Sequence, residues 1–251
     1  MKKVLSVSRI VAAVTLLAFS VPVHASKTDD RIESSAKKSY VFKTYLKGDD
    51  IKIKSSEGVV TLSGTVSEES HKALANDTVA GLPSVKSVDN KLEVKTAPPA
   101  MGSDEWLITK VKSTLLFHSS VSAGNTEVFA KDGVVTLRGH AVTQAQKELT
   151  TEYARDVEGV KGVNNEMVVK STKNHKRTLG VKIDDSSITA QVKMTLLNHR
   201  STSAVKTSVT TKRAVVTVSG KAANQAEKNL VSKLVADING VKSVKNLMTI
   251  E

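Results

Sequence analysis

The sequence predicts an α+β protein made of three tandem copies of one small α-β-β-α-β unit, each a small mixed sheet with two helices on one face. Two observations predict it. A strand-like phrase with a closing glycine recurs three times, as EGVVTLSG at Glu57–Gly64, DGVVTLRG at Asp132–Gly139 and RAVVTVSG at Arg213–Gly220, with spacings of 75 and 81 residues. The same offsets align everything downstream without a gap, so that Val88, Val163 and Val244 correspond, as do Asn90, Asn165 and Asn246, and Leu92, Met167 and Met248. A period this long exceeds the 20–50 residues of a stacked solenoid. A copy of roughly 65–70 residues is near the lower size for an independent domain, so the expected organisation is three beads on a string.

Within a copy, each element has a local reason. In copy three, Asp184 or Asp185 is an N-cap, followed by Ile188, Val192 and Leu196 at helical spacing. A short strand follows, clearest in copy one as Ile51-Lys-Ile53. Lys131-Asp132-Gly133 reads as a hairpin tip, with Val134–Arg138 the second strand and the closing glycine its expected end. The second helix is expected over Gln225–Ile238, with Gly240, like Gly159, at its left-handed C′ position. A last strand alternates Val244, Asn246, Met248 and Ile250. Gly64, Gly139 and Gly220, with Gly159 and Gly240, are therefore structural glycines.

The expected boundaries are 1–25 for a signal peptide, then 29–97, 103–171 and 184–251 for the repeats. Lys2, Lys3 and Arg9 precede an apolar run of 12 residues, Ile10 to Val21, too short for the roughly 20 needed to span a bilayer. Val23-His24-Ala25 fits a cleavage site before Ser26, so the chain is expected to be exported to the periplasm. With no cysteine there is no disulfide scaffold, thiol catalysis or lipoprotein processing. Thr96–Gly102 and Ser171–Ile183 read as linkers.

No catalytic motif or paired metal-ligand spacing is present, and no cofactor is expected. His118 and His199 are equivalent positions near the end of the first helix, where dipole interaction or packing accounts for them better than a metal. Trp106 is expected to pack under its own helix, with a lipid interface as the other reading.

The charge is concentrated in one copy. Residues 26–97 carry 12 basic and 11 acidic groups, residues 98–171 carry 8 and 9, and residues 172–251 carry 14 and 5. Arg200, Lys206, Arg213, Lys233 and Lys245 stand where the earlier copies hold polar or acidic residues, and Lys193 and Arg200 are expected to share a helix face. With Lys212, and with Lys173, Lys176 and Arg177 of the linker, these form the candidate contact with anionic phospholipid, at about 1 kcal/mol per residue near an anionic surface. The competing reading is a solubility device. Nucleic acid is not expected, because the chain is exported and aromatics make up 3% of it.

The unit order, the G-V-V-T-L-x-G phrase and the helix ending in V-x-G-V-x-x-V-x-N resemble the BON domain. A signal peptide followed by such repeats without a lipid-attachment cysteine is similar to osmotically inducible periplasmic proteins of the OsmY type. Those commonly carry two repeats, and this chain has three. In copy one Ser84 stands at the hallmark glycine, after Pro83, and Gly81 suggests that the helix ends sooner there. The resemblance implies a non-enzymatic envelope protein of the osmotic stress response that associates with phospholipid. The alternative is a periplasmic chaperone or adaptor holding exported proteins.

Overall fold

The computed structural model describes residues 27–95, 99–170, 182–202 and 207–251; the expected signal peptide, part of the first linker, most of the second, and Lys173, Lys176, Arg177 and Lys206 lie outside the described residues. Each copy forms a mixed sheet with its hairpin antiparallel and its last strand parallel to the centre. Copy one comprises α1 (Lys27–Lys38), α2 (Tyr40–Thr44), β1 (Asp50–Ser56), β2 (Val59–Val66), α3 (Glu69–Ala80) and β3 (Ser87–Val94). Copy two comprises α4 (Asp104–Phe117), β4 (Thr126–Lys131), β5 (Val134–Ala141), α5 (Gln144–Arg155), β6 (Gly162–Asn165) and β7 (Val168–Val169). Copy three comprises α6 (Asp185–Asn198), β8 (Thr207–Lys212), β9 (Val215–Ala222), α7 (Gln225–Ala236), β10 (Ser243–Asn246) and β11 (Thr249–Ile250).

Two side chains repeat as fasteners. The aspartate at the start of the first helix accepts both N–H groups of the hairpin tip: Asp29 from Glu57 and Gly58, Asp104 from Asp132 and Gly133, Asp185 from Arg213 and Ala214. Asp184 is thus the true N-cap of α6, accepting from Ser187 N at 2.9 Å, while its neighbour ties helix to hairpin. Asn90, Asn165 and Asn246 each donate to a carbonyl in the second helix (Lys72, Lys147, Lys228) and accept from the backbone two residues on. These bonds latch the last strand to the second helix.

Two local expectations are corrected. The closing glycine does not end its strand: β5 continues to Ala141 and β9 to Ala222. Pairing with β4 stops at Gly139, and the strand goes on to pair with β7. Gly159 and Gly240 are also not C′ residues, although both are left-handed, at φ 89° and 90°. The helices end earlier, at Arg155 and Ala236, and just beyond them Val157 and Ile238 pair with another copy. Copy one is no shorter, since Ala80 is the equivalent last residue, and Ser84 adopts φ 70° without being glycine.

The hairpin tips hold positive φ at both central residues, Gly58 and Gly133 being the second in copies one and two. Copy three places Ala214 there, at φ 63°. A Cβ in the left-handed region costs about 1–2 kcal/mol. Ala214→Gly should therefore stabilise the protein by about 1 kcal/mol after glycine's extra chain entropy, read as a raised denaturation midpoint. A lowered midpoint would show that Ala214 fits this tip without strain.

The copies are not beads. Copies one and three share one hydrophobic core, and copy two has its own. Helix α6 lies against α3 of copy one and α4 of copy two. It is buried on nearly every side, Ser186, Thr189, Gln191, Thr195 and Asn198 included, which an isolated repeat with one apolar stripe would not show. At its N-terminus Asp184 accepts from Tyr40 N (2.7 Å) and Ser187 Oγ accepts from Val41 N (3.1 Å), joining copy one to copy three. Burial alone would raise the Asp184 carboxyl, but bonds from Ser186, Tyr40 and Ser187 outweigh it and hold its pKa low. Tyr45 of copy one meets Phe117 of copy two edge to face, at 5.3 Å between centroids.

Copies two and three interlock reciprocally. His118 pairs with Ile238, and His199 pairs with Val157. Ser119 N donates to Asp237 O at 2.8 Å, and Arg200 N to Asp156 O at 3.0 Å. Every partner in one bond is the 81-residue equivalent of its counterpart in the other, so the two copies meet about a local pseudo-two-fold axis.

Candidate functional site

The candidate basic residues of copy three divide among five locations. Lys193, on α6, pairs with Asp77 of copy one at 3.4 Å. Arg200 turns the other way, and its guanidinium donates to the carbonyls of Val157 and Val160 in copy two at 3.3 and 3.1 Å. The two therefore do not form one free face; each fastens a different neighbour. Lys233 is exposed on α7, and Arg213 is exposed at the hairpin tip. Lys212 and Lys245 lie on the sheet.

Alternation and register define that sheet face. Val209, Val216, Val218 and Ala222 point into the core, so Ser208, Thr210, Lys212, Val215, Thr217, Ser219 and Lys221 point away from it. Ser243 and Lys245 pair with Val215 and Thr217, and Thr249 pairs with Lys221, which extends the face across β10 and β11. It carries Lys212, Lys221 and Lys245 among hydroxyls, with no acid at any strand position. None of the three lysines has an ion pair among the described residues.

The equivalent faces are balanced. In copy one Lys52, Lys54 and Lys91 stand with Asp50, Asp89 and Glu93, and Lys91 pairs with Asp89 at 2.8 Å. In copy two Lys131 and Arg138 stand with Glu127 and Glu166, and Arg138 pairs with Glu166 at 2.7 Å. Lys221 was missed by sequence reading. Carrying the alternation of Val215, Thr217 and Ser219 one step further would have found it.

Three of the histidines are occupied structurally. His118 Nδ1 donates to Asp237 at 3.2 Å and its ring stacks on Tyr153 at 3.8 Å. His199 Nδ1 accepts from Ser201 N at 3.1 Å, which leaves the proton of the neutral ring on Nε2, facing Asp156 at 3.5 Å. His71 and Ser67 both converge on Asp49, at 2.6 and 2.5 Å, so the serine is tied to the carboxylate rather than presented to the imidazole Nε2, which faces Glu68. Among the described residues no group of three or more His, Asp or Glu is placed to hold a metal ion. Trp106 is half-buried against its own core, with Lys110 Nζ 4.3 Å from the ring centroid.

The repeats carry a family signature over most of the chain: the BON domain model matches residues 28–96, 103–171 and 184–251. The chain belongs to the BON-domain family. It is 32% identical over 146 residues to Osmotically-inducible protein Y of Escherichia coli (strain K12), covering 57% of this chain and 73% of that one. It is 34% identical over 111 residues to Outer membrane lipoprotein DolP of Haemophilus influenzae, covering 43% of this chain and 57% of the lipoprotein. Among solved structures, CdsD of the type III secretion system of Chlamydia trachomatis aligns over 88% of this chain and 90% of its own, at 16% identity and a TM-score of 0.24. Within this BON protein, the recurrent glycine-containing strand is β2, β5 and β9, and it forms the centre of every sheet.

Proposed function

We propose that this BON protein is a non-enzymatic, exported envelope protein of the osmotic stress response, resident in the periplasm, that docks on anionic phospholipid through the sheet face of its third repeat. One observation carries the reading: the same face is close to charge-balanced in repeats one and two, whereas in repeat three its strands hold lysines and no acid, and Glu251 follows only after the last strand. A solubility device has no need to place its charge on one face of one repeat. The similarity to an osmotically inducible protein and to an outer membrane lipoprotein supports the setting. Among the described residues no helix is long and apolar enough to cross a membrane, so the contact proposed is peripheral.

The test uses the whole mature chain, because α6 is buried between its neighbours and repeat three alone would expose that surface. Co-sedimentation with phosphatidylglycerol-containing vesicles should be strong at low salt and fall as salt shortens the screening length. Replacing Lys212, Lys221 and Lys245 together by Gln should weaken binding about 100-fold, at roughly 1 kcal/mol for each. A wild-type chain that ignores anionic vesicles, or a triple variant that binds like wild type, would overturn the reading.

A second reading, a holder of exported proteins, is favoured by one feature. A cleft of about 340 Å³ between the three repeats is lined by Met101, Trp106, Met194 and Leu197. On that reading the chain suppresses aggregation of a non-native client without lipid and with little salt dependence.

A further inference from the structure

Leu247 has no core to enter. Its neighbours Asn246 and Met248 turn inward, the first to the helix carbonyl of Lys228 and the second to a fully buried position. Two residues on from Lys245, Leu247 therefore falls on the same outward face, and it is 63% exposed. A single exposed leucine is ordinary on a protein surface. The comparison between repeats makes this one informative. The equivalent positions are Lys91 and Glu166, and both are closed off by ion pairs across their own faces, with Asp89 and Arg138. Repeat three replaces that pair by an unpaired leucine beside Lys245, and does so on the one face whose strands carry no acid.

We infer that Leu247 is an insertion point: resting on the proposed docking of this face, it enters the acyl boundary of an anionic bilayer while Lys212, Lys221 and Lys245 hold the headgroups. The chemistry is that of an interfacial contact, in which an apolar side chain sinks below the headgroup level and flanking lysines keep their charges in water while their stems follow it down. The helices cannot supply such a contact in repeat three, since α6 is covered by repeats one and two and both helices lie on the opposite side of the sheet. Charge complementarity selects the anionic surface, and the leucine selects a bilayer over a soluble polyanion.

The chain has no cysteine, so Leu247→Cys gives a single labelling site for an environment-sensitive fluorophore, with Glu166→Cys as the matched position in repeat two. On phosphatidylglycerol–phosphatidylethanolamine vesicles the label at 247 should shift to the blue and become accessible to lipid-borne quenchers, and the label at 166 should not. Leu247→Ser should weaken vesicle binding about tenfold and leave the thermal midpoint unchanged. If wild type binds these vesicles while Leu247→Ser binds equally well and the label stays in water, the contact is by charge alone and insertion is overturned, with docking intact. If wild type does not bind, docking and insertion fall together.

Discussion

Gly139→Ala is expected to destabilise the protein by on the order of 4 kcal/mol, the sum of a backbone penalty and a clash. Gly139 sits at φ 117°, a conformation that residues with a Cβ scarcely adopt, and a Cβ built there would lie 2.0 Å from the carbonyl oxygen of Asn125. That oxygen belongs to the backbone entering β4, so it cannot swing aside as a side chain can. Relief requires the hairpin of repeat two to open at the Thr126–Gly139 pair. Gly64 repeats the arrangement, at φ 112° and 2.1 Å from Asp50 O. Gly124→Ala is the control: nothing lies within 4 Å of its Cβ position, and a near-neutral effect is expected. Urea unfolding of the two variants side by side checks this, and a Gly139→Ala midpoint close to that of Gly124→Ala would show that the strand can shift to admit a methyl group.

That glycine also shows what the sequence made legible. The recurrence of G-V-V-T-L-x-G was enough to find three units and their element order, because alternation and turn chemistry are local. The glycine's purpose was not local, since it depends on the carbonyl of Asn125, 14 residues earlier and just before the partner strand. The helix ends were misjudged too. Gly159 and Gly240 look like C′ residues, but α5 and α7 end at Arg155 and Ala236, and Val157 and Ile238 beyond them pair with His199 and His118 of the other copy. In α6 the stripe of Ile188, Val192 and Leu196 was legible, whereas the burial of Ser186, Gln191 and Asn198 is not a local property, since the helix lies against neighbouring repeats. Charge followed the same division. The excess in repeat three was plain from composition, but separating Lys212 and Lys245 from Lys193 and Arg200 required knowing which surfaces the other repeats cover.

Asp237→Ala is expected to cost about 3 kcal/mol at neutral pH, because it strips the acceptor from a cluster of donors at the join between repeats two and three. His118 Nδ1, Tyr153 Oη, Ser119 Oγ and Ser120 Oγ all donate to this one carboxylate. Burial alone would raise its pKa, but the bonds from His118, Ser120, Tyr153 and Ser119 outweigh that and hold it at about 2, against 3.8 for the free side chain. A depressed folded-state pKa contributes stability above the unfolded value, and that contribution is lost as pH falls from 3.8 toward 2. Across the pseudo-two-fold axis the same join responds to milder acid. Burial lowers the pKa of His199 below its ordinary 6.5, Arg200 and His118 add to the effect, and Asp156 opposes it. Protonation would place a second N–H on Nδ1, against the Ser201 N–H that it now accepts. The stability contributed by neutral His199 is therefore complete above pH 6.5 and is lost as pH falls below it. The thermal midpoint of wild type should decline in two stages, one beginning below about 6.5 and one below about 4. Asp237→Ala should start lower by about 10 °C, keep the first stage and show a smaller second one, the remainder coming from carboxylates such as Asp184 whose pKa is also held low. An Asp237→Ala chain with the wild-type profile below pH 4 would mean that another carboxylate governs the acid limb. A wild-type midpoint that is flat between pH 7 and 5 would mean that the join accommodates a charged His199.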